Sequence, residues 1–397
     1  MEKNTLLAIV LCIVVLVGFY FIQGIFFPPV VSQPAQTASG AEPPPAVAPA
    51  PDLTAPLEPS SPGMEQLPPV DSALPPETSQ LETTADTGPE YEQRVTIQTE
   101  LLEVVFSSAG GDVVSWKLRK HKDNDDYVEM VLSGNREAHA FTVAFGGLSA
   151  QPVSSFFYVN RISPYSVEFY RDFLVPNSRS VSGGNARFRL VKRYDFKPEE
   201  YMFELTISLD GGHDVPGFNF DGSAYTLSFG PQMGPRFEKL DNRIDFREYT
   251  TYTNGKLKKE KVNDSNPSII NSSPKWAAVS GKYFTCIAVP LLPQYDLNFS
   301  ERSEAGIPSA SRLNIIRPAL NNSRTSDIYR FYLGPKNQDD LYIYNNGNNG
   351  FNLTDMQLIE IASSRGLLSP LEKALKWLLL AFYKMIPNYG VAILLLT

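Results

Sequence analysis

TELLEVVFSSAGGDVVSWKL, Thr99–Leu118, decides the fold. With the preceding Val95–Gln98, its first half alternates and then runs apolar. Gly110-Gly111 breaks the run, and Asp112–His121 (DVVSWKLRKH) resumes it. Two short apolar-periodic stretches around a glycine pair read as two β-strands and a turn. The same texture recurs in ARFRLVKRYDF (186–196), YMFELTISLD (201–210) and AYTLSFG (224–230), each rich in Val, Tyr, Phe and Thr. Clusters such as SGGN, DGGHD and FDGS separate them. No helical pattern of any length occurs before about residue 354. The fold class this implies is mainly β, an antiparallel β-sandwich over 94–353. At about 260 residues it is an enlarged one, since a simple sandwich needs about 100.

One hairpin is marked more sharply than the rest. Asn254-Gly255 sits between strand-like flanks, and both residues tolerate positive φ. The arm after it carries Lys256, Lys258, Lys259 and Lys261. It reads as a lysine-blunted edge strand. The other reading is a basic finger against lipid headgroups or an acidic partner.

Outward from the β region, composition changes abruptly. Of 32 prolines, 16 lie between Pro28 and Pro89, and residues 28–93 hold ten Asp or Glu with no Lys or Arg. Glu2 and Lys3 cancel, so the net charge of −8 divides into −10 before Arg94 and +2 from there on. The acidity belongs to a linker, residues 28–93, too poor in apolar surface to offset the entropy of ordering. Proline keeps such a tether extended. No dense basic patch exists to displace counterions from phosphates, which excludes a nucleic-acid partner.

Before the linker, Leu6–Phe27 is 22 residues without a charge, enough to cross a bilayer once. Phe19, Tyr20, Phe21, Phe26 and Phe27 gather toward its far end, as in an aromatic belt. The run continues into Phe-Phe-Pro-Pro with no small-residue cleavage site, so it reads as an anchor and not as a removed signal. Residues 1–5 form a short start, and the positive-inside rule puts them in the cytoplasm.

At the other end, Ser369, Pro370 and Glu372 mark a helix start: an N-cap, a first-turn proline and a capping-box acid. Leu371, Ala374, Leu375, Leu378, Phe382 and Met385 then recur at steps of three and four. Lys373, Lys376 and Lys384 stand outside that series, with Trp377 alongside. This is the pattern of a helix lying in a membrane interface, within a helical segment 354–387. Asn388, Tyr389 and Gly390 follow a break at Pro387. The apolar run to Thr397, residues 388–397, reads as the start of a second, truncated transmembrane helix.

Bond-making chemistry leaves no mark. His121, His139 and His213 are isolated, and Cys286 in an apolar stretch reads as a buried hydrophobe. No metal, nucleotide or nucleophile-elbow motif is present. No catalytic, metal-binding or cofactor-binding residue is therefore assigned. A sugar-acting sandwich enzyme is a rival without a marked site.

These stretches together resemble the N-terminal part of the YidC-family membrane protein insertases of bacteria with a large periplasmic domain. Thr99–Leu118 is similar to that domain's opening strands, double glycine included. WAAVSGKYFTCIAVPL (276–291) and FYLGPK (331–336) resemble motifs near its end. NYGVAILLLT (388–397) resembles the entry to the family's membrane core. Gly366-Leu367 departs from the pattern, where Gly-Trp is expected. The resemblance implies insertion and chaperoning of nascent membrane proteins in the inner membrane, alone or beside the Sec translocon. It implies the lipid bilayer as a partner and no cofactor, nucleotide or metal. It further implies an insertion groove, with a basic residue inside the membrane, formed beyond Thr397. The alternative is a bitopic periplasmic scaffold or binding module without insertase activity.

Overall fold

The computed structural model describes residues 88–131, 139–176, 185–229, 246–262, 269–304, 307–362 and 369–396. The expected anchor 6–27 and linker residues 28–87 lie outside the described residues. In chain order the strands begin with β1 (Arg94–Gln98), β2 (Leu102–Ser107), β3 (Asp112–Asp123) and β4 (Asp126–Glu129). These pair in sequence as a four-stranded meander. Next come β5 (Thr142–Ala144), β6 (Tyr158–Ser163), β7 (Ser166–Pro176), β8 (Asn185–Phe196), β9 (Met202–Asp210) and β10 (Phe218–Phe229). The last are β11 (Glu248–Thr253), β12 (Lys256–Glu260), β13 (Ile269–Ile270), β14 (Trp276–Ser280), β15 (Phe284–Pro290), β16 (Asp296–Glu304), β17 (Ile307–Leu320) and β18 (Arg324–Pro335).

Nine of them form one sheet in the order β12-β11-β14-β15-β18-β9-β8-β7-β6, and five form another, β13-β16-β17-β10-β5. Both smaller sheets pack on the nine-stranded one. Phe106 of β2 meets Tyr194 of β8 with ring centroids 4.8 Å apart, and Trp116 of β3 meets Phe203 of β9 at 4.9 Å. From the five-stranded sheet, Phe229 of β10 meets Phe331 of β18 at 5.1 Å. Strand β8 shows why the layers form. Ala186, Phe188, Leu190, Lys192, Tyr194 and Phe196 all point inward and are buried, while the residues between them are exposed or half-buried. The enlarged antiparallel sandwich expected from the sequence is what the chain builds.

One polar side chain joins all three sheets. Lys192 is fully buried on the nine-stranded sheet and donates to three acceptors. They are Gly110 O at 2.9 Å and Asp112 Oδ1 at 2.6 Å from the four-stranded sheet, and Phe141 O at 2.7 Å beside β5 of the five-stranded one. Each proton of the ammonium thus has an acceptor, which a buried charge requires. The turn that supplies two of them needs both glycines: Gly110 has φ +72° and Gly111 φ +62°.

Two readings of the sequence are corrected. FDGS does not separate strands. Asp221 and Gly222 take positive φ inside β10 and shift its register against β17, with Asn219 Oδ1 accepting from Gly222 N at 2.8 Å. It is a bulge, which turn-type residues also favour. The Asn-rich stretch after FYLGPK is not free of helix either. It holds α1 (Gln338–Asn346), capped by Asn337 Oδ1 on Asp340 N at 2.8 Å and closed by Gly347 in the left-handed region. Tyr344 of α1 packs on Tyr332, so this short helix covers part of the nine-stranded sheet's outer face.

Candidate functional site

The functional residues expected from the sequence all fall after the sandwich. A seam first ties the chain down there. Trp276 stacks on Tyr252 (5.0 Å, 2° between planes) and donates Nε1–H to Met356 O at 2.8 Å. Lys275 Nζ donates to Asp355 O at 2.8 Å. Asn345 Oδ1 accepts from Gln357 N at 2.8 Å. Asn349 donates to Ile343 O and Leu353 O and accepts from Leu353 N. Leu353, Met356, Leu358 and Ile361 are buried in this seam, the last two in a 3-10 turn, Leu358–Ile361. Sequence reading had no view of it, because its partners stand about 80 positions apart.

Beyond the seam come α2 (Ser369–Met385) and α3 (Tyr389–Leu396). The helix expected to open after a Ser369 cap already includes Ser369, a difference of one residue at a fraying end. The side chains of Ser369, Pro370, Glu372 and Lys373 lie outside the described residues. Lys376 and Lys384 are exposed. So is Trp377, at 70%, together with Leu375, Leu380 and Met385. A helix packed on a water-soluble core would bury such residues. Tyr383 and Tyr389 stack at 4.1 Å across the break between the two helices. Asn388 does more than break the chain. Its Oδ1 accepts from Gly390 N at 2.9 Å, so it caps α3. In α3, Val391, Ile393, Leu394 and Leu395 are exposed, Leu394 by 78%. The structure thus brings the two expected groups together at this junction, each with exposed apolar side chains. Among the described residues, no helix is long and apolar enough to cross a membrane.

The candidates for bond chemistry are separate from this surface. Cys286 is buried in β15, and burial pushes its thiol well above the usual range. His121 lies beside Tyr201 and Phe284, and His139 Nδ1 lies 3.8 Å from Asp112. Among the described residues no group of three potential metal ligands converges. The β11–β12 hairpin turns at Asn254 and Gly255 with φ 52° and 76°, and β12 is the edge strand expected.

Residues 94–355 match the family described as the YidC periplasmic domain. Over its whole length the chain is 33% identical to the membrane protein insertase YidC of Treponema denticola, covering 67% of that protein. It is 30% identical to that of Treponema pallidum, covering 68%. Among solved structures, a galactose mutarotase-like protein from Lactobacillus casei overlays with a TM-score of 0.40 at 13% identity. That overlay covers 61% of this chain and 100% of the other, and it is too slight to bear on function.

Proposed function

The chain belongs to the YidC family, and from that premise we propose how it takes part in membrane protein insertion. The observation that carries the reading is the set of unburied apolar side chains of α2 and α3, which follow in the chain on a seam bonded to the β domain. We read α2 as lying in the bilayer interface, with Trp377 at headgroup level and Lys376 and Lys384 reaching for water. The sandwich then stands on the periplasmic side of the bacterial inner membrane, and α3 leads into a membrane span of a multi-pass protein. Each relative has about a third of its length outside the match, and we place the insertion groove in that part. Nascent membrane proteins are the clients, and the Sec translocon is a proposed partner. We read the protein as a chaperone that makes and breaks no covalent bond, so a broad glycan panel is expected to show no turnover.

Depletion of the whole protein is expected to leave small membrane proteins uninserted. Unchanged insertion would favour a periplasmic scaffold instead. Residues 1–397 supplied alone to depleted cells are expected not to restore insertion, and rescue would refute the placement of the groove.

A further inference from the structure

A polar cleft of about 740 Å³ opens at the end of the nine-stranded sheet where β11 turns into β12. The Asn254–Gly255 turn forms one wall, Ser273 and Lys275 another, and Asp355 and Gln357 the third. Three features point to what it meets. The first is the route of the chain. Gln357 in the cleft wall directly precedes the 3-10 turn, and from Ala362 to Ser369 at most about 25 Å of chain leads to α2. The seam holds this exit against the cleft through Lys275 and Trp276. The cleft is therefore tethered closely to the helix that Proposed function places at the membrane.

The second feature is charge. Lys256 begins β12 at the lip of the turn. Lys258 and Lys259 are paired with Glu260 and Glu248, at 2.9 Å and 2.5 Å, whereas Lys256 and Lys261 are exposed and have no described ion pair. The third is chemistry. The cleft is polar: the Asn254 amide and the Lys275 ammonium line it, with Lys256 at the lip. These two cations outnumber the one carboxylate in the lining, Asp355, while Tyr252, its one aromatic, is stacked on Trp276. Such a surface suits phosphate and glycerol oxygens and offers nothing to an apolar segment.

We propose that this end of the sheet, with Asn254, Lys256 and Lys275, rests on the bilayer and binds the headgroups of anionic phospholipids. Lys256, one of the lysines that blunt the edge strand, is then also a membrane contact. The inference depends on α2 being interfacial.

The test places a fluorophore on single cysteines in the full chain, with Cys12→Ser and Cys286→Ala as background. The labelled sites are Asn254→Cys, Asn160→Cys and Trp377→Cys. Asn160 lies on β6, eight strand spacings and about 38 Å across the same sheet. The protein is reconstituted in vesicles of phosphatidylcholine, with or without phosphatidylglycerol, that carry a headgroup quencher. The label at 254 is expected to be quenched in phosphatidylglycerol vesicles at low salt, and the label at 160 is not. Lys256→Glu is expected to reduce the quenched population about fivefold, and Lys261→Glu, beyond the far end of β12, to reduce it less. Equal quenching at 254 and 160, or quenching indifferent to phosphatidylglycerol and to the Lys256 reversal, overturns the inference. A quenched label at 377 with an unquenched one at 254 overturns it alone. An unquenched label at 377 overturns the interfacial reading of α2 as well.

Discussion

Gly111 and Lys192 show how much of the sandwich rests on single positions. A Cβ on Gly111 would stand 2.7 Å from the Cβ of buried Phe169, on a backbone already at φ +62°. Gly111→Ala is expected to lose about 1–3 kcal/mol, read from the urea midpoint. Lys192→Met leaves Asp112, itself buried, without its cation, and should cost about 3–5 kcal/mol. Adding Asp112→Asn to Lys192→Met is expected to recover part of the loss. A double variant no better than the single would show that the carbonyl acceptors matter more than the charge. The glycine pair was legible because it interrupts an apolar run. Lys192 was legible too, had parity been followed: in ARFRLVKRYDF it falls in step with Phe188, Leu190 and Tyr194. Its partners at Gly110 and Phe141 were not, since nothing local links residues 82 and 51 positions apart.

Among the larger pieces, the seam from Leu353 to Ile361 bears most on function. Trp276→Phe keeps an aromatic ring against Tyr252 and removes the donor to Met356 O. Leaving that buried carbonyl unpaired is expected to weaken the seam by about 1–3 kcal/mol. Hydrogen exchange should accelerate at Gln357 and Ala362 while the amides of β8 and β9 keep their protection. Acceleration throughout would mean that the indole supports the whole core instead. Alternation and turn residues announced the long strands, because one face of each meets the core and the other meets water. FDGS misled because Asp-Gly suits a bulge as well as a turn. Helix α1 went unseen because QDDLYIYNN lacks a broad apolar face, although Asn337 and Gly347 had marked both of its ends. The apolar series of α2 was plain, yet its junction with α3 depends on the Asn388 cap and the tyrosine stack, which are matters of geometry.

For the whole molecule, pH offers a test of the core. Burial holds the phenols of Tyr194, Tyr225 and Tyr332 well above their ordinary value, and Tyr201 is pushed up to about 12. Below pH 10 both folded and unfolded chains keep these protons, so the stabilisation is complete there. Above it the unfolded chain ionises first, and stability falls as pH rises from about 10 toward 12. Burial pushes Lys192 and Lys336 the other way, an opposing effect of two groups against several. Melting temperature is expected to hold between about pH 7 and 9 and then drop. The part of the tyrosinate absorbance that belongs to these buried phenols should rise together with unfolding and not before it. The three-way bond at Lys192 also bears on how the protein comes apart. Its ammonium has a full set of acceptors only when all three sheets are in place, so no sheet can leave without breaking at least one of these bonds. The sandwich is accordingly expected to unfold as one cooperative unit, and a pair of its sheets excised without the third is expected to be less stable than the whole.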